Sequence, residues 1–131
     1  MTPRLALDTN AYRALDDGNA TLSGLIQTTP QVGLPIIVLG ELYHGIFSGN
    51  KSERNLDRLG QFLNSPRVEI LVINDSTAKL FGEIATELKR LGRPVQQNDI
   101  WIAALCKQHD YRLATADSGF QAVVGLETLL F

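Results

Sequence analysis

The chain has 131 residues, of which 44% are hydrophobic and 20% are charged. These proportions are typical of a globular domain that buries its own core, so folding requires neither a disulfide framework nor a structural metal. Twelve basic and fourteen acidic residues give a net charge of −2, which excludes a basic coat over the whole surface but allows a local basic rim beside an acidic site.

The cysteine content and the hydropathy indicate the class of protein and its compartment. The single cysteine, Cys106, lies in the apolar run IWIAALC, which excludes an internal disulfide or a zinc site of several thiolates and indicates a core position. No segment approaches the roughly 18 apolar residues of a membrane span, and MTPRLALDTN lacks the apolar stretch of a secretion signal. We therefore expect one domain over residues 1–131, in the cytoplasm and without membrane contact.

The first half of the chain alternates between strand-like and helix-like apolar patterns. Residues 5–7 form a short apolar run and predict a strand, which polar turn residues follow directly. The β-branched run 36–38 fits either a buried strand or the start of a helix, and the segment 39–47 (LGELYHGIF) predicts a helix. Residues 52–64 predict a further helix, because their apolar side chains share one helical face.

The second half continues the same alternation. The run VEILVI at 68–73 predicts the clearest strand. Ser76 is a candidate cap of a helix that ends near Gly92, Asn98 is a candidate cap of the next helix, and residues 111–115 predict a short strand. Strands that alternate with helices predict an α/β fold with a mainly parallel sheet, in which sites lie at the carboxyl ends of the strands.

Four acidic residues stand at the ends of these predicted elements: Asp8, Glu41, Asp99 and Asp117. Long stretches of chain separate them, so only the fold can bring them together. The first three have apolar neighbours (LALD, VLGEL and NDIWIAAL), where a lone carboxylate is costly unless it is paired or binds a metal. A structural alternative stays open for Asp8, which a turn that caps the next helix also favours, and for Asp99, which the start of a helix also favours.

Clustered carboxylates favour one kind of chemistry. They repel one another, and a hard divalent cation with oxygen ligands relieves the repulsion. The acids have no accompanying His or Cys ligand set, which disfavours zinc. One or two Mg²⁺ or Mn²⁺ ions at such a site suit the hydrolysis of a phosphate ester. Thr9, Asn10 and Thr115 flank the acids and fit either the orientation of carboxylates and water or ordinary turn and cap roles.

Four segments together resemble a known family. LALDTNAY, LGELYHG, QNDIWIAA and LATADSGF are similar, in order and spacing, to the four signatures of PIN-domain proteins, and more narrowly to those of VapC-type toxins of bacterial toxin–antitoxin pairs. The resemblance covers nearly the whole chain. It implies a PIN-like three-layer α/β/α fold and a Mg²⁺- or Mn²⁺-dependent endoribonuclease that acts on structured RNA such as tRNA or rRNA.

The resemblance also assigns residues and partners. The acidic positions of the family, which act as metal ligands and catalytic residues, fall on Asp8, Glu41, Asp99 and Asp117. The family implies a homodimer and a cognate antitoxin whose C-terminal segment blocks the site, in a hetero-oligomer with the toxin. By their helical spacing, Tyr43 and Phe47 fit either the core or a dimer interface.

Basic residues near the acids are candidates for contacts with RNA phosphates. Arg13 lies about one helical turn beyond the first acidic motif. Lys89, Arg90 and Arg93 form a cluster before the third acid. The alternative for this cluster is a solvated helix end that the helix dipole favours.

Two other functions are weighed against the nuclease. A phosphatase of the haloacid dehalogenase type also begins with a strand and an Asp, but it needs a second Asp where this chain has Asn10 and a lysine near the last acids, where only Lys107 is found. The other alternative is a PIN fold that has lost catalysis and only binds RNA or a partner. Dependence of activity on Asp8 or Asp99 distinguishes it from the nuclease.

Overall fold

The computed structural model describes residues 4–131; residues 1–3, which the expected domain includes, lie outside this range. Five strands form one sheet: β1 (Arg4–Leu7), β2 (Gln31–Pro35), β3 (Val68–Leu71), β4 (Arg112–Thr115) and β5 (Thr128–Leu130). Their order across the sheet is β3-β2-β1-β4-β5, and every neighbouring pair is parallel. All carboxyl ends therefore meet at one edge of the sheet.

Helices connect the strands on both faces of the sheet. They are α1 (Thr9–Asp16), α2 (Ala20–Thr28), α3 (Ile36–Ser48), α4 (Ser52–Leu63), α5 (Asp75–Arg90) and α6 (Gln97–His109), and a 3₁₀ helix spans Ser118–Ala122. Successive crossovers from β1 to β3 carry α1 to α4, and the return to β4 carries α5 and α6. Because parallel crossovers are right-handed, these two sets cover opposite faces. The three-layer α/β/α fold with a parallel sheet is thereby confirmed.

The core surrounds the central strand of the sheet. Leu5, Ala6 and Leu7 of β1 have no exposed surface, because strands lie on both sides of β1 and helices cover both faces. Cys106 of α6 is also fully buried, as its apolar neighbours indicate. Within residues 4–131, no helix is long and apolar enough to cross a bilayer.

Two helix starts differ from the sequence expectation. The cap of α5 is Asn74, whose side chain accepts from the backbone N–H of Thr77 while the Thr77 hydroxyl accepts from the Asn74 N–H, so Ser76 lies inside the helix. The cap residue of α6 is Gln96, which makes no side-chain cap hydrogen bond, and Asn98 lies in the first turn. In both places the cap is a polar residue two positions earlier in the chain, because sequence patterns locate the start of a helix only to within one or two residues.

Four other elements differ from what the sequence patterns predict. The run 36–38 is the start of α3, and the strand lies just before it, over Gln31–Pro35. This strand was not expected, because QVGLP is short and contains Gly33 and Pro35. The helix α2 was also not expected, and α1 was considered only as the helix that Asp8 would cap. At the edge of the sheet β3 ends at Leu71, and residues 72–73 continue as an exposed apolar segment.

Candidate functional site

The first acid is placed by the junction of β1 and α1. Asp8 follows β1 directly and is the N-cap of α1, where its Oδ1 accepts a hydrogen bond of 2.8 Å from the backbone N–H of Ala11. Only 8% of Asp8 is exposed. The capping role and the position at the carboxyl edge of the sheet therefore coexist in one carboxylate, whose second oxygen does not take part in the cap.

Thr115 joins the first acid to the last. It ends β4 beside β1, and no part of it is exposed. Its Oγ1 accepts a hydrogen bond of 3.0 Å from the backbone N–H of Asp117, and its hydroxyl also bonds to the Asp8 carboxylate, which lowers the pKa of that carboxyl. A buried hydroxyl in this position orients Asp8 and holds the start of the Asp117 loop.

Thr9 positions the second acid. Glu41 lies in the second turn of α3, and the Thr9 hydroxyl at the start of α1 donates to Glu41 Oε1 at 2.7 Å. This contact connects α1 to α3 at the site. The third candidate for such a role, Asn10, has an exposed side chain that makes no hydrogen bond to residues 4–131. A role of Asn10 in orienting carboxylates or water therefore stays a prediction.

The last two acids begin helices on the other side of the central strand. Asp99 lies in the first turn of α6, where the helix dipole also favours an acid. Asp117 is the N-cap of the 3₁₀ helix, and its Oδ1 accepts from the backbone N–H of Gly119 at 2.8 Å. The two structural alternatives weighed from the sequence, a helix start for Asp99 and a cap for Asp8, are thus real local roles of these two residues.

The pKa values of Asp8 and Asp99 are raised in part by the negative charges of the other acids. Burial raises the pKa of Asp8 most, and the negative charges of Asp117 and Glu41 add to this effect, while hydrogen bonds from Thr115 and Ala11 oppose it. Burial likewise raises the pKa of Asp99 to about 6, and the charges of Asp117, Glu41 and Asp8 contribute. The fold therefore brings the four acids within electrostatic range of one another, although they are far apart in the chain.

The donor set matches a hard divalent cation in its chemistry. All four groups are carboxylates, the ligand type that Mg²⁺ and Mn²⁺ prefer. Within residues 4–131, however, no three Asp, Glu, His or Cys side chains are arranged so that they can hold one metal ion as they stand. Hydrogen bonds engage Glu41 and Asp117, and the like charges repel, so these side chains must rotate inward to share a cation.

Arg13 lies on α1, one helical turn beyond Thr9. Its side chain is exposed, and its guanidinium lies against Gly45 of α3, where an added Cβ would stand 2.7 Å from Nη2. Gly45 is not among the candidates that the sequence indicates. The sequence does hold a signal for it, because glycine stands inside an apolar helix where alanine would form the helix better. A glycine in such a position indicates that another group approaches the helix closely.

The other candidate cations lie at the end of α5. Lys89 and Arg93 line a cavity of about 400 Å³ together with Ile100, the residue after the third acid. Arg90 forms an ion pair with Glu87 one turn earlier, so its charge is partly compensated. The cluster thus does lie beside the start of α6, with two of its three cations turned to that cavity.

The aromatic pair on α3 reaches from the edge of the core, where Tyr43 is partly buried, to the surface at Phe47. The rings of Tyr43 and Phe47 stack with centroids 5.8 Å apart, and 65% of Phe47 is exposed. Phe47 therefore does not belong to the core, and the dimer interface expected from the sequence stays a prediction.

Comparison with known proteins identifies the family. A family model described as PIN domain matches residues 5–126. The chain is 32% identical to Ribonuclease VapC2 of Haemophilus influenzae over 108 residues, 82% of this chain and 80% of that protein. It is 28% identical to Ribonuclease VapC5 of Mycobacterium tuberculosis over 119 residues, 91% of this chain and 87% of that protein.

Solved structures agree with these sequence relatives. The fold is similar to a chain of VapBC2 from Rickettsia felis bound to a promoter DNA fragment, with a TM-score of 0.87, 25% identity and coverage of 97% of this chain and 98% of the other. For VapBC-1 of nontypeable Haemophilus influenzae the TM-score is 0.83, with 26% identity and 97% coverage of both chains. The chain therefore belongs to the PIN domain family and, within it, to the VapC ribonucleases.

Proposed function

We propose that this chain is a divalent-cation-dependent endoribonuclease that acts as the toxin of a toxin–antitoxin pair in the cytoplasm. The observation that carries the proposal is the meeting of four carboxylates at the carboxyl edge of the sheet, where their charges and their burial raise the pKa of Asp99 to about 6. A site with this much uncompensated negative charge favours a cation over protons near neutral pH. Relatives named as VapC ribonucleases support the choice of RNA as substrate.

Asp8, Glu41, Asp99 and Asp117 would hold Mg²⁺ or Mn²⁺. When bound, such a cation offsets the charge of a phosphodiester and makes water more acidic. The protein's own part is positioning: Thr115 and the Ala11 N–H fix Asp8, and Thr9 fixes Glu41. Asp99 is largely ionised at pH 7.5, because this pH lies above its pKa of about 6. Hydrolysis should leave a 5′-phosphate and a 3′-hydroxyl, with tRNA or rRNA as the target class.

The same proposal includes two protein partners. Relatives of known structure were solved as VapBC assemblies, which supports a cognate antitoxin that covers the acidic site. The exposed Phe47 and its stacked neighbour Tyr43 supply an apolar surface for a homodimer. The mass of the isolated protein in solution tests the homodimer directly.

The test is cleavage of total cellular RNA by purified, antitoxin-free protein. We expect discrete fragments with Mg²⁺ or Mn²⁺ and none with EDTA. The Asp8→Asn and Asp99→Asn variants should lose cleavage by at least about a hundredfold, because each removes a charge from the reacting site. Asp110→Asn is the matched control: it removes one carboxylate far from the site, at a left-handed residue (φ 61°) that Asn adopts readily.

Two outcomes would contradict the proposal. Cleavage that persists in EDTA and in both site variants would place the activity elsewhere or in a contaminant. A folded protein that binds RNA but leaves it intact under every metal condition would favour the binding-only alternative, against which the presence of all four acids argues.

A further inference from the structure

The contact between α1 and α3 has two steps that lie one helical turn apart. Thr9 meets Glu41 through a hydrogen bond of 2.7 Å, and four residues later on both helices the Arg13 guanidinium meets Gly45. Four residues correspond to about 6 Å along a helix. The Arg13 guanidinium therefore contacts α3 about one helical turn beyond Glu41.

Gly45 makes this position of the guanidinium possible. A Cβ at residue 45 would stand 2.7 Å from Nη2 of Arg13, which is closer than real Cβ atoms come to a neighbouring heavy atom. The glycine lies in the interior of α3, where glycine stabilises a helix less than alanine does. The open space above its Cα is occupied by Arg13 and by no aliphatic side chain.

The charge of Arg13 is available to a ligand. Asp16, one turn further along α1, is already paired with Arg58, whose guanidinium donates to Asp16 Oδ1 and to the Asp16 carbonyl oxygen, both at 2.8 Å. In the part of the chain from Arg4 to Phe131, no carboxylate lies within 4 Å of Arg13. Its side chain is exposed beside a cavity of about 370 Å³ that Gly45, Asp17 and the Arg58-paired Asp16 also line.

We infer that Arg13, seated on Gly45, binds the phosphate of the RNA strand next to the phosphate that is cleaved. This inference rests on the proposed ribonuclease function and adds a substrate contact to it. The separation of about one helical turn from Glu41 is similar to the spacing of neighbouring phosphates along an RNA strand. A guanidinium can donate two parallel hydrogen bonds to one phosphate, which gives register as well as attraction. The contact reads the backbone, so it positions the strand without selecting a base.

The test compares binding of fluorescently labelled, unfractionated tRNA by three variants in EDTA, where the site does not cleave. Arg13→Gln should weaken binding about three- to tenfold at low salt and reduce the slope of log K against log salt by about 0.7, the loss of one phosphate contact on a single strand. Gly45→Ala should weaken binding in the same direction, because it displaces the guanidinium. Lys107→Gln, which removes one positive charge about two to three turns along α6 from Asp99, should change neither quantity.

Gly45→Ala also separates a binding role from a folding role. Alanine favours the helix, so this variant should unfold at the same or a higher temperature than the parent protein while it binds tRNA more weakly. Unchanged affinity and salt slope in Arg13→Gln, in a protein whose RNA cleavage still depends on Asp8, would overturn the Arg13 assignment and leave the ribonuclease in place. A parent protein that cleaves no RNA would overturn both.

Discussion

Neutralisation of Asp99 should stabilise the metal-free protein, although it removes a residue of the proposed active site. Burial and three neighbouring carboxylates raise the pKa of Asp99 from 3.8 to about 6 in the folded chain. Because the pKa of Asp99 is higher in the folded than in the unfolded chain, ionisation of Asp99 destabilises the folded state. The contribution of protonated Asp99 to stability is complete below about pH 4, declines between pH 4 and 6, and is lost above pH 6. At pH 7.5 the folded protein therefore carries an unfavourable charge that Asp99→Asn removes.

The size of this effect follows from the pKa. A change from 3.8 to about 6 corresponds to about 3 kcal/mol as an upper bound. Asp99 is only partly buried, and solvent screening reduces the expected gain to about 1 kcal/mol. For a chain of this size, 1 kcal/mol raises the unfolding temperature by about 3–6 °C.

The assay is thermal unfolding followed by circular dichroism at pH 4 and pH 7.5. In EDTA at pH 7.5, Asp99→Asn should melt above the parent protein and above the control Asp110→Asn, and at pH 4 the difference should largely vanish. Added Mg²⁺ should reverse the order, because only the parent protein gains the full stabilisation of about 1.4 kcal/mol at ten times the dissociation constant. A variant that is no more stable than the parent in EDTA at pH 7.5 would refute the reasoning that the four carboxylates repel.

Two further substitutions test the packing that supports the site. Thr115→Val keeps the shape of a fully buried side chain but removes the hydroxyl that bonds to the Asp117 N–H and the Asp8 carboxylate. The free energy of unfolding in urea should therefore fall by about 1–3 kcal/mol. An unchanged midpoint would mean that this hydroxyl is dispensable. Gly33→Ala adds a Cβ 2.8 Å from Cε2 of Tyr111 inside the sheet and should lower the free energy of unfolding by about 1–3 kcal/mol. The control Gly60→Ala, with no atom within 4 Å of the new Cβ, should be neutral or stabilising. Equal midpoints for the two variants would contradict the close packing at Gly33.

Much of the fold was predictable because its signals are local. The apolar run of β1 and the stripe of α5 follow from side-chain periodicity, which a few neighbouring residues establish. The elements that were missed have weak local signals. The strand β2 contains Gly33 and Pro35, which disfavour a strand, and its stability comes from its neighbours β1 and β3 on either side. Ser76 and Asn98 were wrong as caps, because several adjacent polar residues can serve and only the backbone geometry selects one.

The candidate acids were predictable one by one, since a carboxylate at the end of an apolar segment needs a partner. Their roles as caps and their mutual pKa effects were not predictable in the same way. The Thr115 hydroxyl reaches both Asp8 and the Asp117 N–H only because β4 pairs directly with β1. Tertiary packing also decides the role of Gly45, because that role depends on which side chain of α1 lies against it.

By itself, the sequence determined the alternation of strands and helices, the position of four acids at their ends and the resemblance to PIN-domain proteins. Patterns of this kind depend on residues close together in the chain, so they can be read without the fold. Only the tertiary structure decided that these acids are neighbours, that Thr9 and Thr115 hold two of them, and that the Arg13 guanidinium lies against Gly45 of α3. Such relations depend on the order of strands in the sheet and on the packing of helices, which join residues that the chain separates.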